Sequence, residues 1–305
     1  MAPPARSVAH RIAGLFPDNI CWLDQTEALI SIGDGGKAVV DPLLELGKHP
    51  DQVEIVRSEA LRTLGHLEAD RTYIVPRLLR VLELDLHPET RGACLKALGR
   101  LARDDERVLL TILQATESDH SQVRRAALHA LGMLESDDPR VIARLLEAVS
   151  SPDEETRSGA VLGLGANPDR DQRAVAALTA RLSDESERVQ RGAVVALGRF
   201  GRRAAPAAES LTALLEQEGL SWFRGEQLET LVAIGPAARI AIPALEAVEP
   251  KVRRWGNLEA ISQFGSATAQ GPPPAGHYRR LPLVPEAYWQ LQDALARIRR
   301  AGGED

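Results

Sequence analysis

A nine-residue phrase recurs five times along the central part of this 305-residue chain. Each copy begins with Arg, or once with Gln, ends with Leu-Gly, and carries apolar residues three and four positions apart. Successive copies begin 34, 33, 33 and 33 residues apart. The copies are residues 57–65, 91–99, 124–132, 157–165 and 190–198. A fixed period of this length is typical of stacked supersecondary units, so it restricts the chain to a repeat architecture.

Each repeat is predicted to be a pair of helices. The apolar spacing within a phrase places Ala60, Leu61 and Leu64 on one stripe of a helix, and a second apolar helical run precedes each phrase. The closing Gly predicts a helix end, because glycine adopts the left-handed conformation without a Cβ penalty. Hydrophobic residues make up 44% of the chain but aromatic residues only 4%, which favours closely stacked helices over sheets. The predicted fold class is therefore all-α.

A turn residue precedes each phrase by six positions. It is Asp at positions 51, 85 and 184 and Ser at positions 118 and 151, and both types favour turns and helix N-caps. A helix, an Asp in the turn and then Val-Arg-x-x-Ala-Leu-x-x-Leu-Gly resembles HEAT repeats, in the short HEAT-like form of the phycobilisome lyases. Residues 25–33, 227–235 and 257–265 align on the closing Gly as three further copies. The resemblance implies a right-handed α-solenoid of about eight HEAT-like hairpins over residues 1–265.

The periodic pattern stops after Gly265. Residues 266–285 include Gly-Pro-Pro-Pro and Leu-Pro-Leu-Val-Pro, which cannot continue a helix, so they are predicted to form a loop. Residues 286–305 place Tyr288, Leu291, Leu295 and Ile298 on one stripe, which predicts a C-terminal capping helix and a short tail. The alternative is that loop and helix grip a partner.

One arginine per repeat starts the phrase, and these residues form a ladder along the chain. The ladder consists of Arg57, Arg91, Arg124 and Arg157. A row of cations could bind phosphates, but each arginine stands beside a turn Asp or Ser. In the HEAT family this arginine usually pairs with such turn residues, so the resemblance implies a structural role.

The helix face opposite the apolar stripe is the candidate partner-binding surface, and in HEAT folds it lines the concave side. It changes from basic to apolar along the repeats, beside mostly small residues. The predicted surface comprises Arg62, Lys96, Arg100, His129, Met133, Leu162, Val195, Arg199 and Val232. We expect it to hold a peptide or helix of another protein, with acidic residues near the cations and apolar residues over Leu162, Val195 and Val232. The alternative is that those three apolar residues are half-buried between adjacent helices.

The net charge indicates which class of partner to expect, and the cysteine content indicates which cellular compartment. The 43 acidic and 37 basic residues leave a net charge of −6, which disfavours a dedicated nucleic-acid binder and favours protein partners. With only Cys21 and Cys94 a disulfide framework is not expected, and Cys94 replaces a core Ala of its repeat. We find no signal peptide, and no segment approaching 18 apolar residues, so a soluble cytoplasmic protein is expected.

No catalytic, metal-binding or cofactor-binding residue is predicted. The related deoxyhypusine hydroxylases hold di-iron through His-Glu pairs, and no His-Glu dipeptide occurs in this sequence. Related alkylpurine DNA glycosylases use Trp in a basic groove, whereas Trp22, Trp222 and Trp255 are interpreted here as packing residues. The sequence predicts a non-enzymatic scaffold or adaptor. A phycobilin-lyase-like enzyme or chromophore-binding protein, and a nucleic-acid-binding HEAT-like protein, are the two alternatives.

Overall fold

The computed structural model describes most of the chain between residues 36 and 301. The described ranges are residues 36–67, 71–84, 86–102, 105–134, 136–168, 171–218, 225–247 and 284–301. Within these ranges the chain forms α-helices and short 3₁₀ segments and contains no β-strand. It divides into two compact units, Met1–Arg170 and Asp171–Asp305. The prediction of an all-α fold is confirmed.

The first unit is a row of helical hairpins. Its described helices are α1 (Gly36–Lys48), α2 (Glu54–Leu64), α3 (Arg71–Leu82), α4 (Pro88–Leu101), α5 (Glu106–Ala115), α6 (Ser121–Met133), α7 (Pro139–Ala148) and α8 (Glu154–Ala166). The even-numbered helices carry the nine-residue phrase, and each packs on its odd-numbered partner. In addition α2 contacts α4, α4 contacts α6, and α6 contacts α8. The even-numbered helices therefore form one continuous layer.

The apolar stripe of each phrase lies in the core, as its spacing predicts. Ala60, Leu61 and Leu64 are fully buried, and so are Ala127, Leu128 and Leu131 in α6. Each buried Leu contributes roughly 1.5–3 kcal/mol relative to an exposed one. Cys94 is also fully buried, and its thiol donates to the Leu78 carbonyl at 3.5 Å. Repetition of this stripe gives the unit its core.

The closing glycines of the first unit have a different role from the one predicted. Gly99, Gly132 and Gly165 lie inside α4, α6 and α8, which end one or two residues later. Gly65 does follow the end of α2, but its φ of −68° is ordinary right-handed backbone. The prediction of left-handed helix ends is therefore wrong for these four glycines, and also for Gly198, which lies inside the helix Glu187–Phe200.

Close helix packing explains these glycines. A Cβ on Gly99 would lie 2.5 Å from the Ala130 carbonyl oxygen, and a Cβ on Gly132 would lie 2.1 Å from the Gly163 carbonyl oxygen. Real Cβ atoms essentially never approach other atoms this closely. Glycine is required because the backbones of neighbouring even-numbered helices touch.

The arginine ladder joins each even-numbered helix to the turn before it. Arg124 donates through Nη1 to the Ser118 carbonyl at 2.7 Å, and Arg157 donates to the Ser151 carbonyl at 3.1 Å. Each acceptor belongs to the turn residue six positions earlier. Arg57 and Arg91 similarly donate to the carbonyls of Gly47 and Leu82, each at 3.3 Å. The guanidinium groups thus satisfy carbonyls that the preceding helix and turn leave open.

The second unit continues the hairpin pattern with more 3₁₀ structure. Its described helices are α9 (Arg173–Ala180), α10 (Glu187–Phe200), α11 (Ala208–Glu218), α12 (Gly225–Ile234) and α13 (Val284–Ala301), with 3₁₀ segments at Arg181–Ser183, Gly201–Ala207 and Gly235–Ala241. Helices α10 and α12 are in contact. Gly201 and Gly235 have positive φ angles of 54° and 77° and end α10 and α12. Gly235 is thus a closing glycine that does stop its helix.

Helix α13 is the predicted C-terminal capping helix. It begins at Val284, two residues before the predicted boundary, and packs on α12 and on the 3₁₀ segment Gly235–Ala241. Leu291, Leu295 and Ile298 are buried, as the predicted stripe requires. The buried stripe of α13 therefore belongs to a helix that packs against α12.

The stretch Glu226–Ala247 is long and apolar enough to cross a membrane by length and composition alone. This differs from the expectation that no segment approaches that length. Half of its apolar window is buried within the protein. Helix α12 has only 10 residues, or about 15 Å, against the ~30 Å of a bilayer core, and it ends at Gly235. The buried half of this stretch is part of the core of the second unit.

Several predictions fall on residues outside the described ranges. They concern the hairpins whose second helices are residues 25–33 and 257–265, the loop up to residue 283, Cys21, and Trp22, Trp222 and Trp255. The domain boundary at residue 265 also lies there and stays a prediction.

Candidate partner-binding surface

Four cations from three successive even-numbered helices are linked by charge repulsion, since Lys96 is repelled by Arg62 and Arg125, and Arg100 is repelled by Arg62. They are Arg62 of α2, Lys96 and Arg100 of α4, and Arg125 of α6, and we refer to them as the basic cluster. Lys96 and Arg100 are four residues apart and therefore share one face of α4. The layered stacking of α2, α4 and α6 brings the other two alongside. Repeats separated by about 33 residues in sequence thus build one positively charged area.

Two members of the basic cluster form ion pairs. Arg62 binds Glu59 one turn earlier in α2, and Arg125 Nε lies 3.2 Å from a Glu155 carboxylate oxygen of α8. The side chains of Lys96 and Arg100 make no hydrogen bond or ion pair to any residue that the structure describes. Two of the four positive charges are thus not directly compensated.

The pKa of Lys96 reflects both its burial and the excess of positive charge around it. Burial, and then the charges of Arg62 and Arg125, lower the pKa of Lys96 to about 8, although Glu59 and Glu89 act to raise it. Burial and Arg62 also lower the pKa of Arg100. The cations therefore outweigh the carboxylates at this place, and an anion bound there would gain free energy.

The loss of folding stability caused by a charged, partly buried Lys96 can be measured. Its pKa is lower in the folded than in the unfolded chain, so the free energy of unfolding should rise with pH from about 8 to about 10.5. Lys96→Met should abolish this rise and stabilise the protein by on the order of 1 kcal/mol at pH 7, after allowance for partial solvent screening. Urea unfolding at several pH values measures both effects. Lys48→Met, at an exposed pair with Glu45, is the control expected to change little; a Lys96→Met protein no more stable than this control at pH 7 would contradict the prediction.

The remaining predicted surface residues of the first unit follow the basic cluster in the sequence. His129 and Met133 are half-buried residues of α6, and Leu162 of α8 is 36% exposed. Leu162 is a large hydrophobic residue that the first unit leaves partly open. The change from basic to apolar residues along the repeats therefore exists on the folded unit.

The second unit carries the remaining predicted residues. Val195 of α10 is 37% exposed, Arg199 of the same helix is exposed, and Val232 of α12 is half-buried. Glu229, three residues before Val232, lies 3.7 Å from Arg297 of α13. The apolar residues of this unit thus stay accessible, beside an ion pair that joins α12 to α13.

Sequence reasoning missed two features of the surface. Arg125 was not predicted, although it precedes His129 by four residues and so shares its helix face. The pairing of Arg62 with Glu59 was also missed, and it leaves Lys96 and Arg100 as the stronger anion-binding groups. The i, i+3 spacing of Glu59 and Arg62 is the signal that could have revealed it.

The described residues include neither a cluster that could hold a metal ion nor a nucleophilic thiol. They contain no group of three or more His, Cys, Asp or Glu side chains that could hold a metal ion. Burial raises the pKa of the Cys94 thiol far above its ordinary value, so this sulfur is not a nucleophile near neutral pH. What the surface can do chemically is bind an anionic and partly apolar ligand.

Comparison with known proteins places this geometry in a family. The family model for HEAT repeats matches residues 75–165 and 142–232, which together span more than half of the chain. The solved structure of Kap121p is similar, with a TM-score of 0.54 and 17% identity over 91% of this chain and 36% of that one. Kap121p bound to Nup53p is similar as well, with a TM-score of 0.53 and 19% identity over 91% and 35%.

YibA of E. coli also matches, at a TM-score of 0.47 and 13% identity over 98% of each chain. This chain spans about a third of the length of the Kap121p structures. A search of curated proteins found no match. Both the family model and the Kap121p fold agree with an α-solenoid of stacked hairpins. The chain therefore belongs to the HEAT-repeat family.

Proposed function

We propose that this protein is a non-enzymatic scaffold or adaptor whose even-numbered helices bind an acidic segment of a partner protein. The observation that carries the proposal is the basic cluster, in which Lys96 and Arg100 have no carboxylate partner among the described residues. A partner carboxylate would supply one, and charge-assisted hydrogen bonds of this kind stabilise by ~1.5–3 kcal/mol each.

The apolar residues support a protein partner over a purely ionic ligand. Leu162 in the first unit and Val195 in the second are each more than a third exposed. An amphipathic peptide or helix offers both carboxylates and apolar side chains, whereas a nucleic-acid backbone offers mainly charge. Kap121p, which shares the fold, has been solved bound to Nup53p and to Pho4p. These structures support the class of partner without identifying it.

Partner capture with matched variants tests the proposal. The wild type and a Lys96→Glu, Arg100→Glu variant are immobilised and exposed to nuclease-treated lysate of the source cells, and the recovered proteins are quantified by mass spectrometry. We expect a protein recovered by the wild type to be at least tenfold depleted with the variant, since tenfold corresponds to ~1.4 kcal/mol. A Leu162→Asp variant tests the apolar part of the same unit in the same way.

A charge-matched control separates the site from net charge. Arg71→Glu with Arg173→Glu makes the same change in charge at exposed residues of the odd-numbered helices α3 and α9. It should recover the partner as the wild type does. Equal losses with both double variants would show a nonspecific electrostatic effect, and no loss with Lys96→Glu, Arg100→Glu would falsify the assignment of the basic cluster.

A further inference from the structure

A cleft of about 760 Å³ opens on another part of the first unit, between the α3–α4 hairpin and the α5–α6 hairpin. None of the four residues of the basic cluster lines it. Its apolar wall includes Leu79, Leu82, Leu86, Leu95 and Val123. Leu79 and Leu82 are only half-buried, so part of this apolar surface faces the opening. The volume lies within the ~300–1,000 Å³ range of small-molecule sites.

One substitution between repeats explains why the cleft exists here. Thr111 of α5 lines it, and the residue 33 positions later, Arg144 of α7, occupies the equivalent place in the next repeat. Arg144 spans the junction between the α5–α6 and α7–α8 hairpins. Its Nε donates to the Thr116 hydroxyl at 2.9 Å, and its Nη2 lies 2.5 Å from a Glu117 carboxylate oxygen. Thr111 is too short for this and bonds the Arg107 carbonyl of its own helix at 2.7 Å. The space that an arginine fills in the next junction is therefore left open.

The charges around the cleft favour an anion. Its lining includes Arg80, Arg91 and Arg107 against a single carboxylate, Glu83. Arg80 is exposed, and its guanidinium group makes no hydrogen bond or ion pair to any described residue. Arg107 is 73% exposed and its only carboxylate neighbour in the described ranges, Asp105, lies 3.8 Å away. Two exposed cations, one from α3 and one from α5, thus line the same partly apolar cleft.

We propose that this cleft binds a small organic anion with an apolar body, such as an aromatic or aliphatic carboxylate or sulfonate. The acidic group is held by Arg80 and Arg107, and the apolar body packs on Leu79 and Leu82. Such a molecule matches both the charge and the mixed polarity of the lining, which neither a metal ion nor a purely apolar compound does. The site is independent of the basic cluster and of the partner that it takes.

Titration with 8-anilinonaphthalene-1-sulfonate, an anion with an aromatic body, tests the proposal. We expect the wild type to bind one molecule per chain with enhanced fluorescence, and dodecanoate to displace it. Thr111→Arg should weaken binding at least tenfold, because it introduces the side chain that fills the next junction. Thr111→Val keeps the volume of the native residue and should bind like the wild type.

A second variant keeps the test decisive if Thr111→Arg does not fold, which circular dichroism would reveal. Arg80→Met with Arg107→Met changes two exposed side chains and should weaken binding several-fold and reduce its dependence on salt. Unchanged fluorescence in both the Thr111→Arg and the double variant would overturn the proposal. So would loss of a protein partner with Thr111→Arg while probe binding persists, since the cleft would then serve a protein.

Discussion

Gly132→Ala is expected to destabilise the first unit by about 3 kcal/mol, the upper end of the usual cost of overpacking. A Cβ at Gly132 would lie 2.1, 2.4 and 2.5 Å from the carbonyl oxygen, Cα and carbonyl carbon of Gly163. All three are backbone atoms, so α6 and α8 would have to move apart as whole helices. Intrinsic propensity acts in the opposite direction, because Ala in a helix is favoured over Gly by ~0.5–1 kcal/mol. A loss of stability therefore identifies the contact between the helices.

Urea unfolding followed by far-ultraviolet circular dichroism measures this effect. Gly92→Ala is the matched variant, because its new Cβ would meet the Ala126 Cβ at 2.8 Å and otherwise only an ordinary contact at 4.0 Å. Its cost should be smaller, about 1–2 kcal/mol, since the new Cβ meets one close atom at 2.8 Å rather than three backbone atoms at 2.1–2.5 Å. Equal costs for the two variants, or a gain of stability for Gly132→Ala, would show that α6 and α8 are not in backbone contact.

Arg157→Met is expected to cost about 2–4 kcal/mol. Arg157 is 4% exposed, and its Nη1 donates to the carbonyls of Ser151 at 3.1 Å and Pro152 at 2.9 Å. Methionine keeps much of the apolar stem but removes the donor, and a hydrogen bond to a charged group stabilises by ~1.5–3 kcal/mol. The turn before α8 should loosen as a result.

The same unfolding experiment, with hydrogen exchange of the residues around the turn, checks this prediction. Arg173→Met is the control, because Arg173 is 69% exposed and its contact with Asp171 is a surface pair worth ~0–1 kcal/mol. Arg157→Lys should recover only part of the loss, since one ammonium cannot reproduce the fork of a guanidinium. Arg157→Met as mild as Arg173→Met would contradict a structural role for this arginine.

The repeat unit is the part of the fold that sequence reasoning predicts well. The 3.6-residue spacing of Ala127, Leu128 and Leu131 required a buried helical face, and the period of 33 residues required neighbours to bury it. Both requirements are local or strictly periodic, so one chain is enough to recognise them. The positions of the second helices of the hairpins and the burial of the apolar stripe on α13 were predicted from the same helical spacing.

The closing glycines show where local reasoning fails. Sequence pattern identified Gly132 as special, and helix propensity assigned it to a helix end. Its actual neighbour is Gly163, which belongs to the next repeat and is 31 positions away. The reason for the glycine is therefore a distance between two backbones, and no local rule contains that distance. Gly235, whose φ is 77°, follows the local rule because its constraint is its own dihedral angle.

The candidate surface likewise has features that sequence reasoning predicts and features that it misses. Position on the helix face predicted Lys96, Arg100 and Leu162 from sequence, since helical periodicity determines which side chains point away from the core. The pairing of Arg125 with Glu155, the depressed pKa of Lys96 and the cleft beside Thr111 depend on side chains from different repeats. Periodicity therefore determined the fold and the direction of each residue, whereas the packing of one hairpin on the next decided which charges stay unpaired and where space remains.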